Sequence, residues 1–143
     1  TTHKHFMYGQ MMAVINSTNL TDLAKSLSLM KIFLKVDGLG LAKAGFVCQL
    51  VAGLVGCMDV HNIKTYGVDA NSLKLNKNAT GKRGRENNTK KLHEYITLCH
   101  NYGTENLWNS WCSMIAEKYP KDFVDANHVS EVHYTFLTGE NNV

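Results

Sequence analysis

Apolar residues recur along this chain at the three- and four-residue spacing of helices, and no stretch shows the strict alternation of a half-buried strand. A first helix is predicted over 6–15. Asn19 is placed to cap a second, with Asp22 in its first turn, where an acid favours the positive helix end. The stripe of that helix is Leu20, Leu23, Ala24, Leu27, Met30, Phe33 and Leu34. A tight turn at 37–40 leads into a third helix over 41–52, apolar on nearly every side and therefore predicted to be central. A short loop over 53–58 follows. Asp59 then caps a fourth helix that reaches Tyr66 and is stopped by Gly67. Residues 69–88 are rich in Asn, Lys and Gly and read as a flexible loop. A fifth helix covers 89–101. Gly103 breaks it, and Thr104 caps a sixth with the stripe Leu107, Trp108, Trp111, Cys112 and Ile115. Pro120 follows, and a last helix is predicted over 130–138. The fold class is all-α, an irregular helical bundle forming one domain over 1–143.

Composition narrows the classes. Apolar residues make up 44% of the chain and charged ones 19%, the balance of a chain with a core rather than a disordered one. The longest apolar run, 45–55, is interrupted by Gln49 and is too short to span a bilayer, so no membrane partner is expected. Cys48, Cys57, Cys99 and Cys112 form no C-x-x-C pair and no zinc or iron–sulfur spacing, so no metal is assigned. Buried free thiols fit a reducing compartment, cytoplasmic or nucleoid-associated. The net charge is only +3, yet seven of the fifteen basic residues fall in a short stretch: Lys74, Lys77, Lys82, Arg83, Arg85, Lys90 and Lys91. That cluster is either a solvated surface or a phosphate-contacting one.

The chemistry concentrates between Val36 and Val68. Val36-Asp37-Gly38-Leu39-Gly40-Leu41 has the apolar-Gly-apolar-Gly form of a helical hairpin. Its glycines allow a tight turn, and amides at the head of the next helix can then approach a phosphate. Met58-Asp59-Val60-His61 comes about twenty residues later, at the head of the next helix. In order and spacing this stretch resembles the helix-hairpin-helix DNA glycosylase superfamily, the group of endonuclease III and the adenine glycosylases. There a hairpin of the form L-P-G-V-G opens an apolar helix and a V-D-x-H step follows it.

The resemblance implies a duplex-DNA partner and an enzyme that hydrolyses the N-glycosidic bond of a damaged or modified base, as in base-excision DNA repair. Asp59 carries over as the catalytic acid, which would stabilise positive charge on the sugar or activate water. Gly38, Leu39, Gly40 and Leu41 carry over as the phosphate-gripping turn, where the family allows a bound monovalent cation; no other cofactor is implied. Lys43, Lys82, Arg83 and Arg85 would add contacts to DNA. His61 reads as a supporting residue. Bifunctional members place a nucleophilic lysine at the position of Ala42, whereas Lys43 lies one residue on, about 100° around the helix. The expectation is therefore a monofunctional hydrolase, with Lys43 the remaining nucleophile candidate for lyase chemistry. Asp37 stands where the family has proline. A flipped base needs stacking surfaces and edge-directed hydrogen bonds, for which Trp108, Trp111, Tyr102, His128 and His133 are candidates beside a core-packing role for both tryptophans. The alternatives are a non-catalytic hairpin module that binds DNA, a viral enzyme of base modification, for which the Asn- and Lys-rich composition fits a phage-like source, and a helical protein that never meets DNA.

Overall fold

The computed structural model describes residues 2–118, and the predicted helix over 130–138 together with His128 and His133 lies outside them. The described residues form six α-helices and no strand: α1 Thr2–Ile15, α2 Asp22–Leu34, α3 Leu41–Ala52, α4 Val60–Tyr66, α5 Lys82–Tyr102 and α6 Thr104–Lys118. The all-α class is thus as expected.

The core lies among α2, α3 and α5, with α6 closing one side. Leu29, Met30, Ile32 and Phe33 of α2 meet Leu41, Ala44 and Cys48 of α3, Leu92, Tyr95, Ile96 and Cys99 of α5, and Leu107 of α6. On α3 only Lys43 is exposed, so the helix is central, as its sequence implies. Along residues 5–15 of the outer helix α1 no side chain is completely buried. Met7, Met11, Val14 and Ile15 pack partly on the core, while Phe6 and Tyr8 are exposed.

Local signals account for the best-anticipated boundaries. The Asp59 carboxylate accepts from the Asn62 amide at 2.9 Å and so caps α4. Gly53 and Gly67, both left-handed, end α3 and α4.

Three expectations need correction. The cap of α2 is Thr21, whose Oγ1 accepts from the Ala24 amide, because the helix begins two residues later than Asn19 would require. Its buried face is Ser26, Leu29, Met30, Ile32 and Phe33, and Leu20 and Leu23 face solvent. Packing against α3 and α5 sets that face, not the count of leucines.

The stretch 69–88 is not one continuous loop. It contains a 3-10 turn, Ala70–Leu73, and the first two turns of α5, which begins at Lys82. Tertiary bonds hold this polar helix start. Asn88 donates to the Asn76 carbonyl at 2.7 Å and accepts from the Asn76 amide, and Arg85 donates to the Thr80 carbonyl. Lys82, Arg83 and Arg85 therefore sit on a helix rather than on a flexible loop.

Candidate functional site

The turn between α2 and α3 is built on two glycines, Gly38 and Gly40. Gly38 adopts φ +87°, a left-handed conformation that residues with a Cβ rarely take. Gly40 is the N-cap of α3 and offers no side chain to its amides. The first internal bond runs from the Ala44 amide to the Gly40 carbonyl, which leaves the amides of Leu41, Ala42 and Lys43 without an intrahelical acceptor. Gly38 to Lys43 line an open cavity of about 460 Å³, and the opposite wall is Leu73, Lys74, Leu75 and Lys77. The positive helix end and three lysines, Lys43, Lys74 and Lys77, thus meet at one concavity.

The basic cluster divides once its bonds are traced. Lys77 Nζ donates to the carbonyls of Leu34 and Val36, at 3.0 and 3.2 Å, and closes the end of α2. Lys91 Nζ donates to the Lys74 carbonyl at 2.7 Å. Lys82 and Lys90 lie 4.0 Å from Glu86 and Glu94 one turn on, exposed pairs that contribute little to stability. Residues 74–78 therefore form a strut from α5 to the hairpin. Sequence reasoning left Lys74 and Lys77 in an undivided charged stretch; their place beside the glycine turn depends on that strut.

Asp59 is half-buried at the head of α4 and lies outside the lining of the hairpin cavity. Its Oδ1 holds the cap, and Oδ2 has no hydrogen-bond partner among the described residues. The path that leads to it doubles back. After α3 ends at Ala52, the chain returns until the Gly56 carbonyl touches α3 at Gly45, where a Cβ would overlap it. Gly45 lies five residues beyond Gly40, about 7 Å along the helix. The segment bearing Asp59 is thereby brought back toward the hairpin end of α3.

Two helices support this segment. Tyr95 of α5 donates its hydroxyl to the Gly56 carbonyl at 2.7 Å and accepts from the Met58 amide at 2.9 Å. Burial holds its phenol protonated, with the pKa well above the ordinary value. The side-chain amide of Asn62 donates to the carbonyls of Cys57 and Leu107. His61 Nε2 lies 3.1 Å from Ser110 Oγ and ties α4 to α6. Sequence reasoning missed Tyr95 and Asn62, because neither carries a signal until its distant partners are known.

Trp108 and Trp111 of α6 gather around Phe46 of α3. The Phe46 ring stacks on Trp108 at 6.1 Å and 20° and lies 5.9 Å from Trp111, with all three rings half-buried. Tyr102 packs on Tyr66 at 4.4 Å instead.

The cysteines are free thiols. Burial pushes Cys48, Cys57 and Cys99 up to about 12, and the Asp59 charge adds to the effect at Cys57. Cys112 is pushed up to about 11. In the native protein at pH 8, a thiol reagent is expected to modify Cys112 on the order of a few hundredfold, and the other three on the order of a few thousandfold, more slowly than free cysteine, because so little thiolate is present. Rapid titration of even one of the four in the folded chain would contradict this burial.

No helix among the described residues is long and apolar enough to cross a membrane. Comparisons of the chain with family models, with curated proteins and with solved structures find no match.

Proposed function

We propose that this chain is a glycosylase-like enzyme of the helix-hairpin-helix type, which binds duplex DNA and hydrolyses the N-glycosidic bond of a damaged or modified base. The observation that carries the reading is the pairing of two helix heads. One, at Gly40, opens free amides into a cavity ringed by lysines; the other, at Asp59, presents a carboxylate on a segment folded back along the same helix. The first suits a backbone phosphate. The second suits the sugar, where bond breaking develops positive charge that a carboxylate stabilises. Lys43 and Lys74 add affinity without sequence preference. Ala42 at the position of the family's nucleophile favours water over a Schiff base.

The test is a panel of duplexes carrying different altered bases, scored separately for free base and for strand cleavage. The unmutated protein is expected to release base from one class without a borohydride-trapped adduct. Asp59→Asn is expected to slow release about 100-fold while leaving duplex affinity within about twofold. With roughly four phosphate contacts, affinity should fall with salt at a log–log slope near −3.6. Binding without release on any duplex would leave a non-catalytic hairpin module, and a trapped adduct would make Lys43 the nucleophile. No binding even at low salt would remove DNA from the account.

A further inference from the structure

We propose that Tyr95 and Asn62 are positioning residues that hold the Asp59 carboxylate in place by suspending the segment Val55 to Asp59; the inference rests on the reading of Asp59 as the reacting group. That segment belongs to no helix, yet several of its polar groups are held by side chains outside it. Thr104 Oγ1 donates to the Val55 carbonyl at 2.6 Å. The Tyr95 hydroxyl takes the Gly56 carbonyl and the Met58 amide, and Asn62 Nδ2 takes the Cys57 carbonyl at 2.9 Å. The Asn62 amide reaches Asp59 Oδ1. The side chains of Tyr95 and Asn62 are both fully buried.

Two features mark this arrangement as held against a local cost. Val55 is a buried β-branched residue at φ +66°, a conformation that persists only where the surroundings over-determine it. Asn62 Oδ1 is buried with no donor among the described residues. The amide cannot turn over to relieve this, because its nitrogen faces two carbonyls and the reversed group would set oxygen against oxygen. A side chain serving packing alone would not leave a buried acceptor unmatched. What Asn62 does provide is a link from the carbonyl before Met58 to the helix that Asp59 caps.

The experiment follows amide exchange and turnover together. In the unmutated protein the Met58 amide, though outside any helix, is expected to exchange as slowly as core amides of α5 such as Ile96. In Tyr95→Phe its exchange should quicken at least tenfold more than that of Leu29 in α2. On a substrate found to be processed, kcat should fall at least tenfold while KM and duplex affinity stay within about twofold. Leu92→Ala, which removes a buried side chain of α5 that makes none of the hydrogen bonds to the segment, should speed exchange broadly and leave kcat unchanged. Fast exchange at Met58 in the unmutated protein would overturn the proposal even if Tyr95→Phe failed to fold. Unchanged kcat in Tyr95→Phe, or exchange raised evenly across all helices, would overturn it as well. If no duplex yields free base, the reading of Asp59 fails by itself, and the exchange data still decide whether Tyr95 holds the segment.

Discussion

Gly45→Ala is expected to destabilise the protein by about 3 kcal/mol and to lower its melting temperature by roughly 10 °C. In an exposed helix the same change would be favourable by up to about 1 kcal/mol, since glycine is the poorer helix former. Here the added methyl would overlap the Gly56 carbonyl and press on Tyr95, whose hydroxyl would lie 2.9 Å away. The carbonyl belongs to a pinned backbone, so it cannot step aside as the tip of a flexible side chain would. Moving it breaks the Tyr95 to Gly56 hydrogen bond inside the core, where an unmatched acceptor costs about 1–3 kcal/mol. Overpacking contributes a similar amount. Urea unfolding of the two proteins measures the difference. An unchanged or raised midpoint would mean that the return path past α3 is looser than described. The cost should also shrink when Tyr95→Phe is already present, because neighbours sharing one contact do not add.

Asn62→Asp is expected to cost about 4 kcal/mol at pH 7, although it exchanges a single group of nearly equal size. Asn62 donates to two carbonyl oxygens in a fully buried place. A carboxylate there has nothing to donate and faces two partial negative charges, so its folded-state pKa would be raised above the unfolded value of about 3.9. The sign then follows. Below about pH 4 the acid is protonated in both states, donates one bond and costs less. As pH rises, the unfolded chain loses its proton first and stability drains away until the folded-state pKa is passed. Unfolding curves for both proteins at pH 4 and pH 7 should show a wider gap at pH 7. An equal or narrower gap would place Asn62 outside the buried pair of carbonyls.

These two residues also show where a sequence stops being readable. The bounds of α3 and α4 could be read directly, because a glycine stop and an aspartate cap act within one helical turn. The placing of Asp59 on a helix head followed from the same local signals. Gly45 looked like one more small residue in an apolar helix; its reason lies eleven positions away, in a carbonyl that no pattern announces. The start of α5 was hidden for a related cause. Residues 82–88 hold no apolar periodicity, and bonds from Asn88 and Arg85 to residues 76 and 80 make up for it. The face of α2 depended on which neighbours pack on it; Leu20 fell outside the helix and Leu23 turned outward. The division of the basic cluster, with Lys77 closing α2 and Lys74 beside the glycine turn, likewise required the strut to be seen.

The span of the Tyr95 link bears on the order in which the molecule assembles. Its hydroxyl reaches back 37 and 39 positions, whereas α2, the turn and α3 pair within a short reach of chain. Contacts between near neighbours form early, and those that close long stretches of chain come later. During synthesis, which runs from the N-terminus, the glycine turn between α2 and α3 would be complete before α5 exists to fasten residues 55–59. A chain cut short ahead of α5 would then carry the glycine turn without a fixed place for the Asp59 carboxylate, which would settle only after α5 has docked.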